Sequence, residues 1–172
     1  MKNQRHTLRA LALLLGYPDA QARALMPQLA DAMDAEAALS PARRKELRAL
    51  ARALVSMDPI DAETQFVELF DRGRSTSLHL FEHVHGDSRE RGPAMIDLAQ
   101  TYEKAGLLLG PHEVPDHLCV VLEFASTQPP ATARAFLGEM AHILASIFSA
   151  LRKRESAYAS VLQPSKTMGS AQ

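Results

Sequence analysis

The chain has 172 residues, 47% of them hydrophobic and 23% charged, the profile of one globular domain with its own core and not of a disordered segment. A formal net charge of -1 leaves no field that would draw the molecule to nucleic acid or to an anionic membrane surface, so neither is expected as a partner. The single cysteine, Cys119, excludes an internal disulfide and suits a reducing compartment.

The first residues imitate a secretory signal, but the apolar run from Ala10 to Leu15 is short for one. Leu8, Leu11, Ala12 and Leu15 fall at helical spacing on one face, so an amphipathic first helix ended by Gly16 is expected. No run approaches the roughly 18 apolar residues of a membrane span. Tyr17-Pro18-Asp19 turns the chain into a second helix through Leu25, Met26, Leu29 and Met33, which Pro27 kinks or restarts. Ser40-Pro41 supplies a cap and a first-turn proline for a third helix with Leu47, Leu50, Ala51, Leu54 and Val55 on one face, and Asp58-Pro59 closes it. A fourth helix carries Phe66, Val67 and Phe70. A fifth is expected from about Ser75 to Gly86, and a sixth behind a capping box of Asp87 and Glu90, with Met95, Leu98, Ala99 and Tyr102 as its buried stripe. The apolar connector from Leu107 to Val114 is expected to pack down. Pro115 opens a seventh helix, with Asp116 and His117 in its first turn. One long helix over residues 131–154 follows, with Leu137, Met140, Leu144, Ile147 and Leu151 at clean helical spacing. The polar stretch 163–172 has no periodicity and is expected to be a disordered tail behind a domain of residues 1–162. The fold class is therefore all-α, a single-domain bundle of about eight helices.

The stretch His79-Leu80-Phe81-Glu82-His83 has the H-x-x-E-H spacing of zinc hydrolases, in which two histidines one turn apart hold the metal and the glutamate activates its water. No third-ligand motif follows it, His85 points away from such a pair, and seven histidines make a chance match easy. Paired surface histidines are the expected reading, with a small zinc hydrolase using His79, Glu82 and His83 as the alternative. Neither a phosphate loop, a G-x-S-x-G elbow nor a paired-cysteine pattern occurs, so no cofactor is expected. Arg43-Arg44-Lys45 and Arg152-Lys153-Arg154 read as solvated helix faces and ends. Cys119 reads as a small core residue and His142 as a solvent-facing one.

Two polar clusters remain, His85-Gly86-Asp87-Ser88-Arg89-Glu90-Arg91-Gly92 and Pro115-Asp116-His117. Taken with Phe66-Val67-Glu68-Leu69-Phe70-Asp71, with LHLFEHVHGDSRERG from Leu78 to Gly92, and with Glu113-Val114-Pro115-Asp116-His117-Leu118, they closely resemble the respiratory nitrate reductase assembly chaperones, the delta-subunit or NarJ family. The resemblance runs from about Thr7 to about Leu151 and is specific in its centre, where several motifs recur in order. It implies an all-helical fold shared with the wider molybdoenzyme chaperones, no catalysis, and a cytoplasmic address. It further implies binding to an apo nitrate reductase catalytic subunit until the molybdenum cofactor is inserted; a monomer that binds the N-terminal segment of that subunit is the expected form of this. Carried over residue by residue, it implies a client-binding surface bordered by Asp116, His117, His85, Asp87, Arg89 and Arg91, and Phe81 and Phe70 are expected in the same surface. A helical adaptor without chaperone activity is the remaining alternative.

Overall fold

The computed structural model describes residues 2–169 and is built from helices. They are α1 (Arg5–Leu14), α2 (Ala20–Glu36), α3 (Pro41–Ser56), α4 (Pro59–Phe66), α5 (Arg91–Lys104), α6 (Leu118–Ser126), α7 (Pro130–Glu139), α8 (Ala141–Lys153) and α9 (Ala159–Leu162). A π-helical turn, Val67–Asp71, continues α4, and short 3-10 turns cover Leu80–His83 and Lys166–Met168. Among the described residues the extended pairing is a single antiparallel bridge, His79 with His117.

The principal contacts form a closed circuit: α1 packs on α2, α2 on α3, α3 on α9, α9 on α8, α8 on α7, α7 on α6, and α6 back on α1. Amphipathic stripes explain it. Leu8, Leu11 and Leu15 of the first helix and its end are at most 1% exposed, and Leu47, Val121, Leu122, Leu137, Ile147 and Leu151 meet them at 0%. Each such side chain stabilises the fold by about 1.5–3 kcal/mol relative to exposure. α5 lies outside the circuit and buries only Leu98 and Tyr102. No single helix among the described residues is long and apolar enough to cross a membrane.

The expected start at Ser40-Pro41 holds, and local caps also open α2 and α4. Asp19 accepts from Ala22 N, Ser40 from Arg43 N, and Asp58 from Ile60 N and Asp61 N. α2 runs through Pro27, which is exposed, so the carbonyl it frees is open to water. Arg43, expected on a solvated face, is instead buried, donating to Gln163 Oε1 at 2.7 Å and to the Ser160 carbonyl.

Several expected elements differ. The helix expected from about Ser75 to Gly86 is only the 3-10 turn Leu80–His83. The long helix over 131–154 is two, α7 and α8, bent by 67°. The bend follows Gly138, where the backbone of Gly169 (φ +83°) crosses so closely that a Cβ on Gly169 would collide with Gly138. The stretch 163–172 is accordingly no free tail as far as Gly169: Ser165, Thr167 and Met168 are buried against α7, while residues 170–172 lie outside the described residues. The connector from Leu107 packs down only in part, with Leu107 and Leu109 half-buried and Leu108 77% exposed.

α2 ends on Ala37, a left-handed residue (φ +54°) whose N–H donates to Met33 O. A Cβ there costs about 1–2 kcal/mol, partly offset by the freedom a glycine gains when unfolded, about 0.4–1 kcal/mol. Ala37→Gly is therefore expected to raise stability in denaturant titration by about 0.5–1 kcal/mol. A loss of stability would contradict the cap geometry.

Candidate functional site

The site is a turn pinned to a turn. Leu118 N donates to Leu78 O at 2.9 Å and Leu80 N to Asp116 O at 3.1 Å, so the segment before the first 3-10 turn is laid against the start of α6. Asp116 completes the clasp: its side chain is 0% exposed, and Oδ2 accepts from Phe81 N at 2.9 Å. Tyr102 ties α5 to the same place, its hydroxyl donating to Pro115 O at 2.7 Å. The expected seventh helix therefore starts at Leu118, not Pro115, because the groups of residues 116–118 are spent on Leu78–Phe81. Asp116 consequently offers no surface to a partner, which corrects its assignment as a client contact.

Burial alone would raise the Asp116 pKa, but the neighbouring His79 imidazole, the Phe81 amide and Arg91 outweigh it and hold the carboxyl below its ordinary range. His79 Nδ1 stands 4.0 Å from Asp116 Oδ1, an ion contact too long for a hydrogen bond, and Oδ1 has no other donor among the described residues. The carboxylate in turn holds the His79 imidazole above its usual pKa, with burial opposing. His117 is the reverse. Its Nδ1 accepts from Cys119 N at 3.1 Å as the cap of α6, and burial together with the His79 charge pushes its pKa down. The two imidazoles meet edge to face at 5.0 Å, one inclined to carry a proton and the other to refuse it.

The signs give an expected pH profile. The raised His79 pKa means its contribution is full below about 6.5 and is lost as pH rises through the folded value. Depressed Asp116 and His117 values act oppositely, contributing above about 3.8 and 6.5 respectively and failing as pH falls. The melting-temperature difference between parent and His79→Gln should therefore be largest between pH 5 and 6 (roughly, from these values) and shrink toward pH 8. A difference that grows with pH would refute the pairing.

Around the clasp, Phe81 is half-buried and meets His85 edge to face at 5.5 Å. His85 Nδ1 stands 3.9 Å from Glu90, and Arg91 3.8 Å from Glu82. Val84, Asp87 and Arg89 are exposed. The capping box is not realised: α5 begins at Arg91, Glu90 makes no side-chain cap, and it is Ser88 Oγ that accepts from Glu90 N. Phe70 is 4% exposed and packed between Phe66 (4.9 Å, tilted) and Tyr158 (5.0 Å, edge to face), so it is core and not a client contact. The H-x-x-E-H residues do not lie on one helix. His83 Nε2 donates to Ser77 O at 2.8 Å, Glu82 accepts from Ser77 Oγ at 2.8 Å, and His79 faces Asp116. Among the described residues no three histidine, cysteine, aspartate or glutamate side chains converge on a common point. Cys119 donates to Ala12 O at 3.3 Å and burial pushes its thiol up to about 12, the behaviour of a core residue.

Sequence reasoning missed one feature, a groove of about 870 Å³ between α3, α8 and α9. Leu50, Phe148 and the exposed alanines Ala49 and Ala53 line it, with Glu46, Arg152 and Glu155 beside them. The sole local signal was the i,i+4 alanine pair on an otherwise charged helix face.

Comparison with known proteins follows this geometry. The family model described as nitrate reductase delta subunit matches residues 36–162. The chain is 47% identical over 146 residues to a protein of Escherichia coli K12 named nitrate reductase molybdenum cofactor assembly chaperone NarJ, covering 85% of this chain and 62% of that one. It is 33% identical over 156 residues to a Bacillus subtilis 168 protein named probable nitrate reductase molybdenum cofactor assembly chaperone NarJ, covering 91% and 84%. In fold it resembles a crystal structure of a putative redox enzyme maturation protein from Archaeoglobus fulgidus, with a TM-score of 0.65 at 22% identity over 95% of this chain and 91% of that one.

Proposed function

Since the chain belongs to the nitrate reductase delta subunit family, we propose that it is an assembly chaperone for a nitrate reductase and not a catalyst. In this reading it acts in the cytoplasm, as a monomer. It binds the N-terminal segment of the apo catalytic subunit and holds that subunit competent for molybdenum cofactor insertion, the cofactor being cargo of the client. The observation that carries the binding site is the clasp: it presents two edge-to-face ring pairs, His79 with His117 and Phe81 with His85, half-exposed beside Val84, which is 51% exposed. An amphipathic peptide can bury apolar side chains on such rings at about 1.5–3 kcal/mol each before association costs. Asp87, Arg89 and the Arg91–Glu82 pair supply charges of both signs to orient it. Asp116 is a positioning residue that builds this surface from beneath.

The groove between α3, α8 and α9 supports a second location for the same client, since Leu50, Phe148 and alanines form an apolar floor between charged side chains. The test is calorimetric titration of the chain with a synthetic peptide of the client's N-terminal segment. Saturable binding near the micromolar range, about 8 kcal/mol, is expected. No heat of binding and no competition from the intact apo subunit would sink the proposal.

A further inference from the structure

Away from the clasp, a polar pocket of about 200 Å³ opens where the residues leading into α1, the α2–α3 connection, the start of α3, α7 and the closing 3-10 segment meet. It is lined by Lys2, Gln4, Arg43, Arg134, Ser165 and Thr167 among others, and no acidic side chain among the described residues lines it. In a chain whose net charge is -1, three cations gathered around one small cavity are unexpected.

The hydrogen-bond inventory is open there. Gln4 is 2% exposed, and neither Nε2 nor Oε1 of its amide has a partner among the described residues. Arg43 uses Nη1 on Gln163 and Glu46 and Nη2 on the Ser160 carbonyl, which leaves its buried Nε–H free. The Arg134 Nε–H is likewise buried and unmatched, and Arg134 has no ion pair among the described residues. Buried donors and acceptors left unpaired destabilise a fold, and such groups in a native structure call for a missing partner.

We infer that this pocket binds a phosphate group. Arginine and lysine match its oxygens, the free Nε–H groups and the Gln4 Nε2 donate to them, and a hydrogen phosphate also carries the O–H that Gln4 Oε1 lacks. Sulfate supplies no such donor. The volume of about 200 Å³ leaves room for one phosphoryl group with part of its hydration. The ligand is therefore the free ion or the terminal phosphate of a larger molecule whose remainder lies outside.

The site closes the molecule between α1, α3, α7 and the 165–168 segment, so occupation stabilises the fold by mass action. The test uses the full chain, with the probes sodium phosphate, sodium sulfate, sodium chloride and adenosine triphosphate at equal ionic strength, read by melting temperature and calorimetry. Saturable one-site phosphate binding is expected, with a melting temperature that climbs with the logarithm of concentration. Arg134→Gln should weaken it at least tenfold while leaving the melting temperature in chloride unchanged, because Arg134 holds no described partner. Gln4→Leu should abolish the preference of phosphate over sulfate and keep or raise the melting temperature in chloride, since it removes an unpaired amide. If adenosine triphosphate binds tenfold or more tightly than phosphate, the terminal phosphate of a larger ligand is the occupant; if it gains nothing, the free ion is. A phosphate response equal to that of chloride, sulfate binding as tight as phosphate, or undiminished binding by Arg134→Gln would each overturn the inference.

Discussion

Asp116→Ala is expected to lower the melting temperature by about 5–15 °C, the effect of about 2–4 kcal/mol in a chain of this size. Removing the carboxylate strips a charge-assisted bond from the Phe81 amide and leaves that N–H buried without an acceptor. It also removes the charge against which His79 is held. Asp116→Asn keeps an acceptor for Phe81 and should recover much of the loss. A first-turn aspartate acting only on a helix dipole would cost about 0.3–1 kcal/mol, so the two roles separate cleanly. A melting temperature within about 2 °C of the parent for the alanine variant would mean that the clasp is not held by Asp116. Because the 80–91 segment hangs from this bond, peptide binding should fall with the fold in the alanine variant and return with asparagine.

The second large effect is on binding itself. Val84→Asp with Arg89→Glu changes two exposed side chains and should leave the melting temperature within about 2 °C. If the client lies on the clasp, losing one apolar anchor, about 1.5–3 kcal/mol, and reversing one charge should weaken the N-terminal peptide about 10- to 100-fold. Ala53→Trp fills the groove between α3 and α8–α9 from an exposed helix position, and on the same reading it leaves affinity unchanged. The opposite pattern, loss with Ala53→Trp and none with the clasp variant, would move the client to the groove.

What could be read from the chain was what neighbours in sequence decide. Asp19, Ser40 and Asp58 cap helices within three residues of themselves; the start at Ser40-Pro41 is where it is expected, whereas Asp58-Pro59 reads as the close of α3 and also opens α4. The stripes containing Leu8, Leu47 and Leu144 are core because helical spacing alone puts them on one face. The resemblance located the two polar clusters, but not that Asp116 is buried, since its partner Phe81 lies 35 residues away. The bend between α7 and α8 escaped for the same reason: Gly138 reads as a weak helix residue, and only the crossing by Gly169 makes it a stop. Asp87 does not cap α5 because the chain leaves the first 3-10 turn through Gly86 at φ +53° and does not enter α5 until Arg91, whose helix has no side-chain cap. Arg43 looked like one more surface cation, and only its contacts with Ser160 and Gln163 turned it inward.

α5 stands apart from the circuit of helices and is anchored by two buried side chains, Leu98 and Tyr102. Its backbone amides should therefore exchange with solvent deuterium through an opening that costs far less than global unfolding, whereas those of α1 and α6, wrapped on several sides, should exchange only when the whole chain unfolds. The Tyr102 hydroxyl on Pro115 O makes this opening a cooperative unit, for α5 cannot lift without releasing the turn that carries Asp116. Exchange in the amides of residues 80–83 and 116–118 should then keep pace with α5, so that the surface proposed for the client opens at a cost below that of global unfolding.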